Sequence, residues 1–146
     1  MNAEKMTQKA MEALEAAHAD AVRKGHPELT TLHLLQALLE QEHGLTGNLL
    51  GKMGKDPGML KQAVSEELGK LPTFNGASGR VAASGGMNQV LVRSDDEAKQ
   101  LGDEYVSVEH LLLAILEEGK SGPAGRLLQE QSIRRKELLK TLEDVL

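Results

Sequence analysis

A twelve-residue helical phrase occurs twice in this chain. Residues 30–41 return as residues 107–118, so His33 is followed 77 residues later by His110. Six of the twelve positions are identical, and they include the histidine, three leucines, an alanine and a glutamate. A repeat on this scale indicates one small helical unit that is built twice and packed against its copy. This feature limits the possible folds more than any other.

The repetition extends well beyond the phrase itself, because apolar positions recur along both halves of the chain. The spacing is 77 residues up to the phrase and 78 residues after it, as expected for one inserted residue. The matching pairs are Leu14/Leu91, Ala21/Ala98, Gly25/Gly102, Leu29/Val106, Leu49/Leu127, Leu50/Leu128, Leu60/Leu138, Val64/Leu142 and Leu68/Leu146. We therefore predict an all-α domain of eight helices, made of two four-helix repeats related by a pseudo-twofold axis.

The chain divides into three segments on this interpretation. Repeat one covers residues 1–71 and repeat two covers residues 87–146. Between them, residues 72–86 are rich in glycine and other small residues, which is typical of a linker.

Local signals support the same helical plan. Apolar residues at three- and four-residue steps predict a first helix over residues 4–24, which ends at Gly25. A second helix over residues 31–42 is capped by Thr30 or Thr31, since either hydroxyl can accept a free amide hydrogen bond. No strand is predicted.

Composition and charge exclude several classes of function. The net charge of −5 argues against a nucleic-acid partner, because phosphate binding needs a concentrated positive surface. No apolar stretch reaches the ~20 residues of a membrane span, so no membrane partner is expected. Cysteine is absent, which is typical of a reducing compartment. The first residues have no signal-peptide pattern, and we expect a cytoplasmic protein.

No catalytic or metal-binding constellation is apparent. Residues 47–53 resemble a phosphate-binding loop, but the spacing is one residue short and Met53 stands where a Ser or Thr should bind magnesium. His33 and His110 occupy equivalent places, so we interpret both as structural residues near the start of a buried helix. We expect no catalytic residue, no metal and no cofactor in this fragment.

The two repeats resemble the double Clp N-terminal domain family, which is found at the N-termini of AAA+ unfoldases. The resemblance rests on Thr/Ser-x-x-His-Leu-Leu at the second helix of each repeat and covers essentially the whole chain. Leu71-Pro72 followed by Gly76 is most similar to the disaggregase branch. The resemblance implies a non-catalytic domain that binds unfolded or aggregated polypeptide and passes it to an ATPase ring.

Five residues are implicated in substrate binding by this resemblance. Thr7, Asp103 and Glu109 match polar residues of the family, and Val90 and Leu91 match the apolar lining of a groove beside a helix at about residues 86–101. Each polar residue also has a structural interpretation: a solvent-facing helical threonine, a turn residue, and a carboxylate that complements a helix dipole.

The family's groove should be more apolar than this sequence suggests, because Arg93, Glu97 and His110 fall where apolar side chains are expected. The repeat supplies an independent reason to examine the polar positions. In repeat one, His26 stands for Asp103 and Leu32 stands for Glu109, so the two copies differ where function is implied.

The resemblance also implies partners for the full-length protein. These are unfolded or aggregated clients, a homohexameric assembly, and the DnaK chaperone system. ATP and magnesium would be bound by AAA+ domains, which are expected to follow residue 146. The alternative is an N-domain that docks a folded adaptor protein, as in the ClpA- and ClpC-type protease unfoldases.

Overall fold

The computed structural model describes residues 3–74 and 80–146 of the chain. Within those residues the chain forms eight α-helices, which confirms the predicted all-α fold. They are α1 (Gln8–Arg23), α2 (Thr31–Glu40), α3 (Leu45–Lys52), α4 (Pro57–Leu68), α5 (Gly85–Gln100), α6 (Val108–Glu118), α7 (Pro123–Glu130) and α8 (Arg135–Val145). Single 3-10 turns lie at Ala3–Lys5 and Gly119–Ser121.

Helices α2 and α6, which contain the repeated phrase, form the centre of the molecule. Nearly every residue in them is buried, and they share one continuous core with the apolar faces of the other helices. A helix that is apolar on all sides must be surrounded by other elements. The core is built from Leu, Ala, Val, Ile and Met side chains, because the two aromatic residues, Phe74 and Tyr105, are exposed.

Two short strand pairings cross between the repeats. Strand β1 (Glu28–Leu29) pairs in parallel with β2 (Ala82–Ala83), and an isolated bridge joins Met6 to Val106. The 77-residue offset relates Met6 to Ala83 and Leu29 to Val106, so these are two copies of one contact. The residues that precede α1 and α5 therefore each pair with the other repeat. Two-residue strands are too short for an alternating pattern, and the sequence did not reveal them.

These pairings set the helix starts. Helix α1 begins at Gln8 rather than residue 4, because the amide of Thr7 bonds to the Val106 carbonyl at 2.9 Å. The Thr7 hydroxyl accepts from the Ala10 amide at 3.2 Å and caps the helix. The Ser84 hydroxyl caps α5 in the same way. Helix α5 therefore begins inside the segment that was predicted to be a linker. Residues 75–79 of that linker, including Gly76, lie outside the described residues.

A half-buried polar contact further ties the two repeats together. The Glu118 carboxylate, at the end of α6, accepts from the Thr31 hydroxyl and from the Gly125 amide, each at 3.0 Å. It folds over the first turn of α7, where a carboxylate complements the helix dipole. A Cβ at Gly122 would lie 1.9 Å from the Glu118 side chain, so a larger residue there would displace this carboxylate from its hydrogen bonds.

Across the described residues, none of the helices combines the length and the apolar character that a membrane crossing needs.

Candidate functional site

The start of α6 carries a histidine cap that orients an exposed carboxylate. Ser107 is the N-cap residue, and its amide donates to His110 Nδ1 at 2.8 Å. Because Nδ1 is the acceptor, the ring proton lies on Nε2, which donates to Asp103 Oδ2 at 2.8 Å. The histidine is buried, whereas 49 % of the Asp103 side chain is exposed. His110 thus holds Asp103 in place and leaves its outer oxygen free for a ligand.

Thr7 joins this site from the other end of the sequence. Its hydroxyl donates to Ser107 Oγ at 3.2 Å while it caps α1. The Met6–Val106 bridge places the two segments side by side. Two predicted residues that are almost 100 positions apart, Thr7 and Asp103, are therefore connected through Ser107 and His110.

Glu109 is the third predicted polar residue and lies in the first turn of α6, where it is half-buried. One oxygen of Glu109, one of Asp103 and one ring nitrogen of His110 lie within 4.8 Å of one another. The set has ligand atoms for a cation. Coordination at His110 Nε2 would, however, displace the proton that the Ser107 amide fixes there, so the cap geometry disfavours a metal.

The apolar side of the site lies along α5. A shallow groove of about 360 Å³ is lined by Leu91, Val92, Lys5 and Asp103, among other residues. Leu91 is half-buried and Val92 is 62 % exposed, so both offer apolar surface. Val90 is fully buried in the core, and direct contact with a ligand would require α5 to move.

Arg93, Glu97 and His110, which the sequence analysis placed among the apolar residues of the groove, do not line it. Arg93 is exposed, and His110 is used in the cap. Glu97 is buried and forms a bidentate ion pair with Arg135, with both N–O distances at 2.6 Å. The groove is not purely apolar, however, because charged residues also line it beside Leu91 and Val92: Lys5, Asp95, Asp96, Lys99, Asp103 and Glu104.

In repeat one the equivalent cap has a different partner. The Thr30 amide donates to His33 Nδ1 at 2.9 Å, and His33 Nε2 donates to His26 Nδ1 at 2.8 Å. Both histidines are buried. Burial and the neighbouring His26 lower the pKa of His33 to about 4, and burial also lowers the pKa of His26. This end of the domain presents no carboxylate equivalent to Asp103.

The structural role predicted for His33 and His110 is confirmed by these caps. Sequence reasoning missed Ser107 as the link to Thr7, Val92 as the more exposed apolar residue, and Arg135 as the partner of Glu97. The 77-residue offset relates Thr7 to Ser84 and could have identified both as helix caps. No sequence signal pairs Arg135 with a residue 38 positions away.

Comparison with known proteins gives the family. The model of the Clp repeat (R) N-terminal domain matches residues 5–131. The chain belongs to the Clp N-terminal domain family. It is 45 % identical to the chaperone protein ClpB of Nitratidesulfovibrio vulgaris and 38 % identical to that of Bacillus anthracis, over 99 % of its length in each case. It spans 17 % of the length of each of these relatives.

Solved structures show the same fold at lower identity. The N-terminal domain of Hsp104 from Candida albicans superposes with a TM-score of 0.81 at 23 % identity, covering 94 % of this chain and 88 % of the other. A ClpV N-domain in complex with a VipB peptide gives a TM-score of 0.78 at 21 % identity, covering 92 % and 82 %. The chain is thus a Clp N-domain whose homologues are ClpB N-terminal domains.

Proposed function

We propose that this domain is the non-catalytic, substrate-engaging N-terminal domain of a ClpB-type disaggregase. It binds unfolded or aggregated polypeptide and passes it to an AAA+ ring. The observation that supports this proposal is the meeting of Thr7, Asp103 and Glu109 around one helix start, beside half-buried Leu91 and exposed Val92. Residues from both ends of the domain build one surface that has polar acceptors and an apolar side.

The chemistry of this surface suits an extended, unfolded chain. Such a chain exposes backbone N–H groups, basic side chains and apolar side chains together. Asp103 and Glu109 can accept hydrogen bonds from the first two, and Leu91 and Val92 can contact the third. A shallow groove gives weak binding that tolerates many sequences. Several copies in a homohexamer would add avidity and still let the substrate leave for the ring.

The proposal also covers the full-length protein. We place it in the cytoplasm, as a homohexamer that cooperates with the DnaK chaperone system, with ATP and magnesium bound by AAA+ domains outside this chain. The binding of a peptide by a ClpV N-domain, a neighbour with this fold, is consistent with a polypeptide ligand.

An NMR titration of the ¹⁵N-labelled domain with an unfolded client, such as casein, tests the proposal. We expect shifts at residues 7, 91–92 and 103–110. Thr7→Val combined with Asp103→Asn and Glu109→Gln should weaken binding at least about tenfold, since the loss of even one charge-assisted hydrogen bond of roughly 1.5–3 kcal/mol corresponds to that factor.

The matched control is Glu143→Gln with Asp144→Asn, which removes two exposed carboxylates from α8. It should bind the client as the parent domain does. Equal binding by the triple variant, or shifts confined to other surfaces, would contradict the proposal. Saturable one-to-one binding of a folded adaptor, without client binding, would favour the ClpA/ClpC-type adaptor-docking function instead.

A further inference from the structure

The two repeats contain a pair of equivalent surface grooves. The first groove, of about 300 Å³, lies between α1 and α2 and is lined by Ala16, Asp20, Arg23 and Glu40, among other residues. The second groove lies between α5 and α6. Its lining residues Arg93, Glu97, Gln100 and Glu117 follow those four by 77 positions. The pseudo-symmetry therefore brings Asp20 and Glu40 into the places of Glu97 and Glu117.

The second groove contains a guanidinium group. Arg135, the first residue of α8, inserts between the two acids. Its Nη1 and Nη2 each lie 2.6 Å from an oxygen of Glu97, and Nη1 also lies 3.0 Å from Glu117 Oε1. A planar guanidinium matches two carboxylates in this arrangement because it has several donors in a fixed fork. The occupied groove shows which chemical group fits this geometry.

The first groove keeps the acids but has no counterpart of Arg135 in its lining. The residue equivalent to Arg135 is Pro57, which is likewise the first residue of its helix and lies 78 positions earlier. Within the described residues, the Asp20 carboxylate pairs with Arg23 at 3.2 Å and with Lys24 at 2.8 Å, both within four positions of it in its own chain, and the Asp20 side chain is 17 % exposed. Glu40 is exposed and has no ion-pair partner in the described part of the chain.

We propose that the first groove binds an arginine side chain of a partner polypeptide. The guanidinium would bridge Asp20 and Glu40 as Arg135 bridges Glu97 and Glu117. The exchange requires Arg23 and Lys24 to release Asp20, and both cations are exposed enough to turn into solvent, where such pairs contribute little stability. Arginine is favoured over lysine, because an ammonium group cannot donate to both carboxylates in a fixed plane. This site is separate from the surface at the start of α6 and does not depend on the function proposed for it.

The probe is a short peptide, acetyl-Gly-Gly-Arg-Gly-Gly-amide, titrated into the ¹⁵N-labelled domain. The matched peptides carry citrulline, which keeps the shape and removes the charge, or lysine. We expect the arginine peptide to shift amides of residues 16–24 and 36–42, with about tenfold weaker binding of citrulline. Equal binding of the arginine and citrulline peptides, or shifts confined to other residues, would overturn the proposal.

Two kinds of variant test the site: one removes its acids, and the other adds an arginine of the domain itself. Asp20→Asn with Glu40→Gln should weaken binding of the arginine peptide about tenfold, whereas Glu143→Gln with Asp144→Asn should not change it. Pro57→Arg should place an arginine of the domain itself in the groove and abolish binding of the peptide. Retained binding in both Asp20/Glu40 and Pro57 variants would refute the proposal. The casein titration at residues 103–110 should be unaffected by the Asp20/Glu40 variant, so the two proposals can fail independently.

Discussion

The starts of α2 and α6 are built alike but present different surfaces. In both, the histidine three positions after the N-cap residue accepts from the cap amide through Nδ1 and donates through Nε2 to a residue seven positions earlier. That residue is buried His26 in repeat one and exposed Asp103 in repeat two. The comparison separates scaffold from site, because the repeated histidine sets the geometry while its partner sets the charge and the accessibility.

The two grooves show the same division. Both hold acids at equivalent places, but among the described residues only the second groove has an arginine of its own chain that bonds to both acids. One difference between the copies, Pro57 in place of Arg135, leaves the first groove without the arginine that fills the second. Differences between the copies therefore indicate both proposed binding surfaces.

The largest effect is expected from breaking the Arg135 contact. Arg135→Gln leaves the Glu97 carboxylate buried without its partner, which should lower the free energy of unfolding by about 3 kcal/mol. Urea denaturation followed by circular dichroism measures this loss. Arg126→Gln, which removes an exposed pair with Glu67, is the control and should cost less than about 0.5 kcal/mol. Equal losses in the two variants would show that burial of Glu97 does not matter.

A smaller loss of folding stability should follow when the pH is lowered, and its source should lie in repeat one. His33 has a pKa of about 4 in the folded state and an ordinary value of 6.5 when unfolded. The unfolded state therefore takes up the proton first. The stability present above pH 6.5 is lost as the pH falls toward 4, by about 2 kcal/mol between pH 7 and 5.

His26→Asp tests the origin of that acid sensitivity. It copies Asp103 into repeat one, where the carboxylate would stabilise a protonated His33. Urea denaturation at pH 7 and pH 5 should then show a clearly smaller loss than in the parent domain. An unchanged pH dependence would show that the His26–His33 pair is not its source.

The smallest effect concerns the turn after α7. Ser132 has a φ of 57°, whereas its counterpart 78 positions earlier, Gly54, has a φ of 77°. Serine is strained in this region and glycine is not. Ser132→Gly should raise the free energy of unfolding by roughly 0.5–1 kcal/mol, and Gly54→Ser should lower it by a similar amount. Thermal denaturation measures both changes. If the two variants did not shift the melting temperature in opposite directions, this comparison would be contradicted.

Much of the fold could be predicted, because the repeat fixes where helices and core positions recur. The duplicated phrase predicted two buried central helices, and the apolar pairs predicted a shared core; both are present. The start of α1 could not be predicted, since it depends on pairing between Met6 and Val106. Such pairing leaves no local periodicity in the sequence.

By itself, the sequence determined the helical class and the duplication, and its family resemblance suggested the polar residues of the candidate site. Only the tertiary structure decided that Thr7 reaches Asp103 through Ser107 and His110, that Val90 is buried while Val92 is exposed, and that Arg135 fills one groove. The physical reason is the distance along the sequence over which each kind of interaction acts. Helix periodicity and caps depend on neighbours within about four residues, whereas these contacts join segments that only folding brings together.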